Sequence, residues 1–165
     1  MINLRNELKK FVKKGDLYLS AGGGSDVYID LREACGKSLI RNAMVDRLYH
    51  IMDRGVNCVA GIGMGGIMLA TTMATRYNLN LVTVRDKPKS HGTQSRIEGH
   101  PLEKGDLVAP IDDVLTTGNS LGTLIGILIK TPARLSPASV VVKRGEVCLP
   151  FPLRHLYTLE EIIKD

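Results

Sequence analysis

The fold of this chain is decided by residues 105–121, GDLVAPIDDVLTTGNSL. The apolar run 107–111 has the composition of a buried strand and ends in two adjacent carboxylates, Asp112 and Asp113. A short polar turn containing a glycine follows, and apolar residues at helical spacing begin at Leu121. This order predicts a strand, an acidic strand end, a loop and a helix in succession.

Such a strand–loop–helix unit suits a phosphorylated sugar. The main-chain N–H groups of the loop and the positive end of the helix dipole attract a phosphate. Asp112 and Asp113 cannot hold that phosphate, because like charges repel. They are suited to accept hydrogen bonds from ribose hydroxyls, or to hold a metal ion that bridges to a diphosphate.

Length and composition indicate a single globular domain, residues 1–165. Hydrophobic residues make up 44% of the chain, yet no apolar run reaches the roughly 18 to 20 residues of a membrane helix. The amino-terminal stretch MINLRNELKKFVKKG lacks the apolar block of a signal peptide, so we expect a cytoplasmic protein without a membrane partner. The three cysteines are far apart, and we expect buried thiols.

The net charge of +5 is compatible with two kinds of partner. Nucleic acid is one, but the basic residues are spread along the chain and few aromatic side chains are present to stack on bases. A small polyanionic substrate accounts for the charge equally well. We therefore expect no nucleic-acid partner, although the charge alone does not decide the question.

Residues 1–35, which we call the hood, are predicted to precede the main fold. The apolar side chains of residues 2–14 recur at helical spacing, which predicts an amphipathic helix that ends at Gly15. A hairpin with arms at 17–19 and 27–31, joined by a glycine-rich turn, is predicted to follow.

Beyond the hood, helical and strand patterns alternate. The predicted elements are a helix at 37–54, a strand at 56–62, a glycine loop at 63–66, a helix at 67–77, a strand at 79–85, a helix at 121–130, a strand at 139–143 and a terminal helix that the capping box Thr158–Glu161 opens. This alternation predicts an α/β fold with a mostly parallel central sheet flanked by helices. Right-handed crossovers place the carboxyl ends of the strands at one edge, where we expect the ligand.

The segment 61–66, GIGMGG, matches the pattern G-x-G-x-x-G, and Asp86 follows about twenty residues later. This is the arrangement of a dinucleotide-binding site, which is a rival interpretation. A chain of this length has little room for a further substrate domain, and a dinucleotide does not account for Asp112 and Asp113. Because bare glycine backbone lets any diphosphate approach closely, we favour a diphosphate here.

Residues 86–101 form a long polar stretch with no period that would bury side chains. Lys87, Lys89, His91 and Arg96 lie close together within it. Loops of this length inside a compact domain are commonly lids. A lid with these cations would close over a polyphosphate and shield it from water, whereas the alternative is a solvated surface loop.

Two motifs together resemble the orotate phosphoribosyltransferases, a branch of the type I phosphoribosyltransferase family. DDVLTTGNS at 112–120 resembles the family's signature for phosphoribosyl pyrophosphate, and RDKPKSHGT at 85–93 with IEG at 97–99 resembles the mobile catalytic loop of the orotate enzymes. LSAG at 19–22 with SDVYID at 25–30 resembles their amino-terminal hairpin. The matches follow the family's order along nearly the whole chain.

The resemblance implies a reaction in pyrimidine biosynthesis. Orotate and phosphoribosyl pyrophosphate give orotidine monophosphate and pyrophosphate, with Mg²⁺ as the cofactor. The positions that match the site for phosphoribosyl pyrophosphate are Arg85, Lys89, His91, Asp112, Asp113, Val114, Leu115, Thr116, Thr117, Gly118, Asn119 and Ser120. Those that match the orotate site are Thr116 and Arg144, and the catalytic candidates are Lys89, His91, Asp112 and Asp113.

Further implications concern the metal and the assembly. Mg²⁺ is held mainly by the substrate in such enzymes, with Asp112 and Asp113 as the candidate protein ligands. The loop reaches into the site of the partner subunit, which implies a homodimer in which residues 86–99 contribute to the partner's site. The chemistry agrees, because loop cations stabilise the leaving pyrophosphate and an arginine binds a carboxylate in bidentate fashion.

Several positions depart from the family's pattern. Asp86 stands where many members have a lysine, Ser20 where many bacterial members have one, and Lys143 where an acidic residue is common. Pro110 is unusual inside the signature strand, because it removes a main-chain donor. These departures leave two alternatives open: a phosphoribosyltransferase for another base, and a non-catalytic regulator that has kept the sugar-phosphate site.

Overall fold

The computed structural model describes residues 2–18, 24–85, 96–147 and 149–164. Within these ranges the strands are β1 Val12–Tyr18, β2 Gly24–Ile29, β3 Cys58–Ile62, β4 Asn80–Val84, β5 Ile97–Gly99, β6 Leu107–Leu115, β7 Arg134–Leu135, β8 Ala138–Lys143 and β9 Leu153–Thr158. The helices are α1 Leu4–Lys9, α2 Leu31–Gly36, α3 Ser38–Ile51, α4 Gly63–Tyr77, α5 Asn119–Leu128 and α6 Leu159–Ile163.

The central sheet of the described residues has the strand order β5-β4-β3-β6-β8-β9, and β7 pairs with β6. Its neighbouring strands run parallel except β4 and β5, which are antiparallel. β1 and β2 form a separate antiparallel pair in the hood. The predicted fold class, a mostly parallel sheet flanked by helices with an amino-terminal hairpin, is confirmed.

Helices cover both faces of this sheet. Alternate side chains of β3 enter opposite cores, because successive residues of a strand point to opposite faces. Val59 packs on the side of α1, α2, α3, α4 and α6, whereas Ala60 and Ile62 pack on the side of α5. Leu48 of α3 and Leu69 of α4 are fully buried, and each side chain of this size contributes about 1.5–3 kcal/mol to folding.

The first helix is shorter than predicted. α1 ends at Lys9, and the predicted continuation to residue 14 is wrong. Val12 instead begins β1, because it pairs with Ile29 in the hairpin. This pairing between residues distant in the sequence overrides the helical spacing of the apolar side chains.

The prediction that Gly15 ends a helix is also wrong. Gly15 lies inside β1, where the register with β2 shifts between Lys14 and Leu17. Glycines in strands often mark such a bulge, because they have no side chain to pack. The second arm of the hairpin is β2, and Leu31, predicted to end that arm, begins α2 instead.

The glycine segment 63–66, predicted as a loop, is the first turn of α4. Its glycines serve close packing of this helix on the sheet. A Cβ atom on Gly66 would lie 2.9 Å from the main-chain oxygen of Ile111, and one on Gly61 would lie 2.6 Å from the oxygen of Gly66. Only glycine permits this approach of α4 to β3 and β6.

Two strands at the edges of the sheet were not predicted. β5 lies within the stretch 86–101 and pairs with β4, so the prediction of a structureless polar loop is wrong for residues 97–99. β9 pairs with β8 at the other edge. Its sequence, LRHLYT, mixes charged and apolar residues because its side chains are only half-buried or exposed, which hides the strand pattern.

Pro110 falls at a change of partner along β6. Val108 pairs with β7, whereas pairing with β8 starts at Ile111. The main-chain oxygen of Val108 accepts a hydrogen bond from the N–H of Ser136, and the register with the β7–β8 side shifts by one residue between Val108 and Ile111. Pro110 lies within this shift, opposite Ala60 of β3. The residue without a main-chain donor thus stands between the two pairings and not within either.

The lengths and compositions of the described helices can be compared with those of a membrane span. None of those in the described ranges combines the length and the hydrophobicity needed to cross a bilayer. The longest, α4, has 15 residues, fewer than the roughly 20 that span a bilayer.

Candidate active site

A cleft opens at the carboxyl ends of β3, β6 and β8, beneath the hood. Its empty space, open solvent at the mouth included, is about 820 Å³. The residues that line it are Tyr28, Ile29, Arg32, Ile62, Gly63, Met64, Gly65, Asp112, Asp113, Val114, Thr116, Ser120 and Arg144. Four predicted groups therefore meet in one place: the acidic pair, the glycine segment, the polar turn and the orotate-type arginine.

The acidic pair lies inside β6, which continues to Leu115, so the prediction that the strand ends before the two carboxylates is wrong. The strand extends because β8 remains in register with it, from Ile111 to Leu115. Asp112 is only 6% exposed, whereas Asp113 is half-buried. The N–H of Asp113 donates to Oδ1 of Asp112 at 2.9 Å.

Asp113 stands directly against the first turn of α4. A Cβ atom placed on Gly65 would lie 2.0 Å from Oδ2 of Asp113, which is far inside van der Waals contact. The carboxylate also accepts a hydrogen bond from the N–H of Val114 at 2.9 Å. The absence of a side chain at position 65 thus creates the space that Asp113 occupies.

The polar turn brings the amino terminus of α5 to the cleft. Gly118 adopts a φ of +82°, a left-handed conformation that favours glycine, and stands immediately before the helix. The N–H of Asn119 points back to Oγ1 of Thr117 at 3.5 Å. Thr116 and Ser120 face the cleft, where the first N–H groups and the dipole of α5 favour an anion.

Two neighbours of this turn have different environments. Val114 lines the cleft, as its assignment to the site for phosphoribosyl pyrophosphate requires. Leu115 does not, since its side chain is only 2% exposed and belongs to the core beside α5. The assignment of Leu115 to the site stays a prediction, and its side chain packs in the core.

Arg144 occupies the wall next to Thr116. Leu115 and Lys143 are paired across β6 and β8, so the residue after each stands at the same edge of the sheet. The N–H of Arg144 donates to the main-chain oxygen of Leu115 at 2.9 Å, which fixes the backbone there. The structure thus brings both residues of the predicted orotate site together in the cleft.

Arg85 lies in a neighbouring hollow, not in the cleft itself. This hollow is lined by Gly63, Met64, Ile67, Thr83, Val84, Arg85 and Glu98. It shares Gly63 and Met64 with the cleft, so the two spaces adjoin at the start of α4. Nε of Arg85 contacts Oε1 of Glu98 at 3.2 Å. Such a half-exposed ion pair contributes little to stability, so a phosphate could replace Glu98 as the partner of Arg85 at little cost.

Some predicted positions lie outside the described residues. These are Ser20 in the hairpin turn and, in the polar stretch, Asp86, Lys87, Lys89 and His91. Their assignments stay predictions.

Sequence reasoning missed Tyr28 and Arg32 as lining residues of the cleft. A signal for them was present. Asp30 followed by Glu33 has the spacing of a helix start, and Oδ1 of Asp30 does accept a hydrogen bond from the N–H of Glu33 at 3.0 Å. A helix predicted from that cap would have placed Arg32 in its exposed first turn.

Cys35 lies behind the acidic pair and is not a candidate nucleophile. Burial first, and then the charge of Asp113, raise the pKa of its thiol to about 12. The thiol is therefore protonated at neutral pH, and a protonated thiol is neither a nucleophile nor a metal ligand. Cys35 belongs to the core under α2, as predicted.

The acidic pair also fits a divalent cation in part. Magnesium at phosphate sites is commonly held by one or two carboxylates together with phosphate oxygens of the substrate. Within the described ranges, no three His, Cys, Asp or Glu side chains are grouped in a way that could hold a metal alone. Asp112 and Asp113 therefore fit an ion that the substrate brings, and not a site made by protein alone.

Several known proteins of similar sequence are orotate phosphoribosyltransferases. No protein-family model matches the chain. The orotate phosphoribosyltransferase of Aeropyrum pernix is 37% identical over 138 residues, which cover 82% of this chain and 73% of that one. That of Methanopyrus kandleri is 34% identical over 135 residues, covering 82% and 72%.

Solved structures give the same result. The crystal structure of orotate phosphoribosyltransferase from Aeropyrum pernix superimposes with a TM-score of 0.84 at 32% identity, and covers 97% of this chain and 96% of that one. The similarity extends over nearly the whole of both chains. The chain therefore belongs to the orotate phosphoribosyltransferases, a family of glycosyltransferase-type enzymes.

Proposed function

We propose that this protein transfers the ribose 5-phosphate group of phosphoribosyl pyrophosphate to orotate, giving orotidine monophosphate and pyrophosphate. The observation that carries the proposal is the meeting of three features in one cleft: the acidic pair, the amino terminus of α5 and Arg144. Each suits a different part of the two substrates. The family membership of the chain supports the same reaction.

The sugar phosphate fits the side of the cleft formed by β6 and α5. Thr116 and Ser120, with the N–H groups at the start of α5, suit the 5′-phosphate. Asp112 and Asp113 suit the ribose, because their carboxylates can accept hydrogen bonds from its hydroxyls. Positive charge develops on the sugar as its bond to pyrophosphate breaks, and the nearby carboxylates stabilise that charge.

The diphosphate fits the start of α4, where the cleft meets the hollow of Arg85. The helix dipole and the guanidinium of Arg85 there favour the negative charge that builds on the leaving group. Lys89 and His91 are proposed to add further cations from the loop. Because loop closure also excludes water, the transfer is directed to the base and not to hydrolysis.

Arg144 and Thr116 suit the base. Orotate carries a carboxylate, and a guanidinium can hold a carboxylate with two parallel hydrogen bonds. Uracil, guanine and adenine lack this group. We propose that Arg144 selects orotate among bases for this reason.

Magnesium is proposed as the cofactor. The substrate's phosphate oxygens would supply most of its ligands, with Asp112 and Asp113 as the protein groups in reach of the ribose and diphosphate. When bound, Mg²⁺ neutralises charge on the diphosphate and makes it a better leaving group.

A homodimer with shared sites is proposed from the resemblance of the loop. Residues 86–99 of one subunit would complete the site of the other. Mixing Lys89→Ala chains with Asp113→Asn chains, each inactive alone, then restores part of the activity, because one of the two sites in each mixed dimer is intact. Absence of recovery despite confirmed subunit exchange would count against sites built from two chains.

An absorbance assay tests the reaction itself. Orotate is mixed with phosphoribosyl pyrophosphate and Mg²⁺, and loss of its absorption band is followed with and without uracil, guanine or adenine. We expect orotate to be consumed and the other bases to compete poorly. Consumption of a different base would indicate a phosphoribosyltransferase of altered specificity, and binding of phosphoribosyl pyrophosphate without turnover of any base would indicate a regulator.

A further inference from the structure

Arg32 is a cation of the cleft to which the resemblance assigns no role. It belongs to the first turn of α2, at the edge of the hood, and lines the cleft together with Tyr28. Its side chain is exposed, so a ligand in the cleft can reach it. Nη2 of Arg32 donates a hydrogen bond to the hydroxyl of Tyr28 at 3.3 Å, which ties the guanidinium to the hairpin.

An ion cluster fixes the turn that carries Arg32. Nζ of Lys13 contacts Oδ2 of Asp30 at 3.0 Å and Oε2 of Glu33 at 2.9 Å. Asp30 also caps α2 through its hydrogen bond from the N–H of Glu33. Because these two acids flank Arg32 in the sequence and share one lysine of β1, the first turn of α2 is tied to the hairpin on both sides of Arg32.

Arg32 lines the cleft together with the acidic pair, and it feels the charge of Asp113. Its pKa is raised, first by the hydrogen bond with Tyr28 and then by the negative charges of neighbours that include Asp30 and Asp113. Asp113 also acts on Cys35 of the same helix, so α2 as a whole lies within electrostatic reach of the site. A guanidinium in this position either neutralises Asp113 or binds an anion that enters the cleft.

The positions of the arginines favour the carboxylate of the base over the diphosphate as the partner of Arg32. Arg85 lies in the hollow beyond Met64, on the side proposed for the diphosphate. Arg32 lines the same cleft as Arg144 and Thr116, the two residues proposed for the base. The two arginines approach this space from different parts of the chain, α2 and the end of β8.

We propose that Arg32 is a second specificity-determining residue for the negatively charged base, acting with Arg144. This inference rests on the proposed function, because it assumes that the base carries a carboxylate. Arg144 holds one side of that anion and Arg32 covers it from the hood. Lys13, Asp30 and Glu33 are positioning residues, since they act through the turn that carries Arg32.

The test measures how substitutions of Arg32 change the kinetic constants for each of the two substrates. Arg32→Met removes the charge while it keeps much of the side-chain length, and Arg32→Lys keeps the charge without the planar fork. Arg54→Met removes an exposed arginine outside the cleft and serves as the matched control. The KM for each substrate and the kcat are measured for all four proteins, and orotate binding is measured by calorimetry.

Arg32→Met is expected to raise the KM and the Kd for orotate at least about tenfold, since a charged partner is lost, while the KM for phosphoribosyl pyrophosphate changes less than about twofold. Arg32→Lys restores part of the loss, and Arg54→Met has no effect. If Arg32→Met does not fold, as circular dichroism would show, a rise of the orotate KM alone in Arg32→Lys carries the proposal.

Other outcomes overturn it. An unchanged orotate KM, or a rise of the KM for phosphoribosyl pyrophosphate instead, would show that Arg32 serves only as a counter-ion for Asp113 or as a diphosphate ligand. These outcomes leave the proposed function intact, because the wild-type protein still consumes orotate. If the wild-type protein does not consume orotate, the proposed function fails, and the assignment of Arg32 fails with it.

Discussion

Acidic residues at the two ends of the parallel strands, which we call the amino edge and the carboxyl edge of the sheet, serve opposite purposes. At the amino edge, Asp106 accepts hydrogen bonds from the N–H of Glu103 at 2.8 Å and from Nδ2 of Asn57 at 3.0 Å. It also contacts Nε2 of His100 at 3.0 Å. At the carboxyl edge, the carboxylate of Asp113 receives a hydrogen bond from the N–H of the next residue, Val114.

The difference separates structure from function at the two ends of β6, which Asp106 precedes and which contains Asp113. Asp106 is 5% exposed and joins the segment 100–103 to Asn57, which precedes β3. Asp113 is half-buried, lines the cleft and stands against a glycine. An acid whose partners come from several elements stabilises the fold, whereas one bonded locally beside an open space is available to a ligand.

The largest effect is expected for Gly65→Ala. The added methyl group would overlap the carboxylate of Asp113, which must then leave its place in the cleft. Displacement of a reacting group by about 1 Å can cost about 100-fold in rate, or about 2.7 kcal/mol in the barrier, and we expect a loss of kcat/KM of that order. Steady-state kinetics with orotate measure it.

Gly126→Ala is the matched control. Gly126 also lies in a helix, α5, but a Cβ atom there would meet nothing within 4 Å. Alanine should raise the free energy of unfolding by about 0.5–1 kcal/mol, through its helix propensity, and leave activity unchanged. Equal activity of the two variants would contradict a role for Gly65 in making room for Asp113.

Asp106→Ala should act on stability and not on chemistry. The N–H of Glu103 and the amide of Asn57 would lose their acceptor, and we expect the free energy of unfolding to fall by about 1–3 kcal/mol. Urea denaturation measures this loss. The kcat of the folded fraction should equal that of the wild-type protein, and a large fall in kcat would refute the division between the two edges.

The contribution of Asp106 should depend on pH. Its hydrogen bond from Glu103 first, and then those from His100 and Asn57, hold the pKa of Asp106 below its usual value of 3.8. A carboxyl with a lowered folded-state pKa adds stability above its unfolded pKa and loses it as the pH falls through the folded pKa. Asp106→Asn cannot titrate, so its stability deficit against the wild-type protein should be largest near neutral pH.

That deficit should shrink as the pH falls below about 3.8. Urea denaturation at several acidic pH values, with the wild-type protein and Asp106→Asn side by side, follows the change. A deficit that stays constant down to the acid limit would mean that the charge of Asp106 contributes nothing.

The smallest effect is expected between the two edges, at Ser139 of β8. Its side chain is fully buried, and its hydroxyl oxygen has no hydrogen-bond partner among the described residues. Ser139→Ala removes that polar group, and we expect the free energy of unfolding to rise by up to about 1 kcal/mol. Thermal unfolding measures it; a clear loss of stability would mean that the hydroxyl does have a partner.

Sequence patterns predicted the elements with strong local periods. The buried strand before Asp112, the helix after the polar turn and the capping box at Thr158 are all present. In these segments the local pattern and the tertiary fold agree, because each buries its apolar face where its period predicts. The resemblance grouped Thr116 with Arg144, and the parallel sheet brings both to the same ends of its strands.

The rest depended on contacts between distant residues. Val12 has helical spacing but pairs with Ile29, and glycines 63–66 have loop composition but form a helix packed tightly on the sheet. The length of β6 beyond the acidic pair follows from its pairing with β8. Arg32 was missed because the Asp30–Glu33 cap marks only the start of its helix, and no local pattern shows that this helix borders the cleft.

Pro110 has a consequence for how the sheet assembles. Proline has no main-chain N–H, so position 110 of β6 can donate no hydrogen bond to a neighbouring strand. β8 is buried along most of its length, and a shift of such a strand misplaces fewer side chains than a shift of a strand with alternating polar and apolar residues. A β8 strand shifted toward the start of β6 would find no donor at position 110, which disfavours that alignment relative to the one in which Arg144 stands beside Thr116.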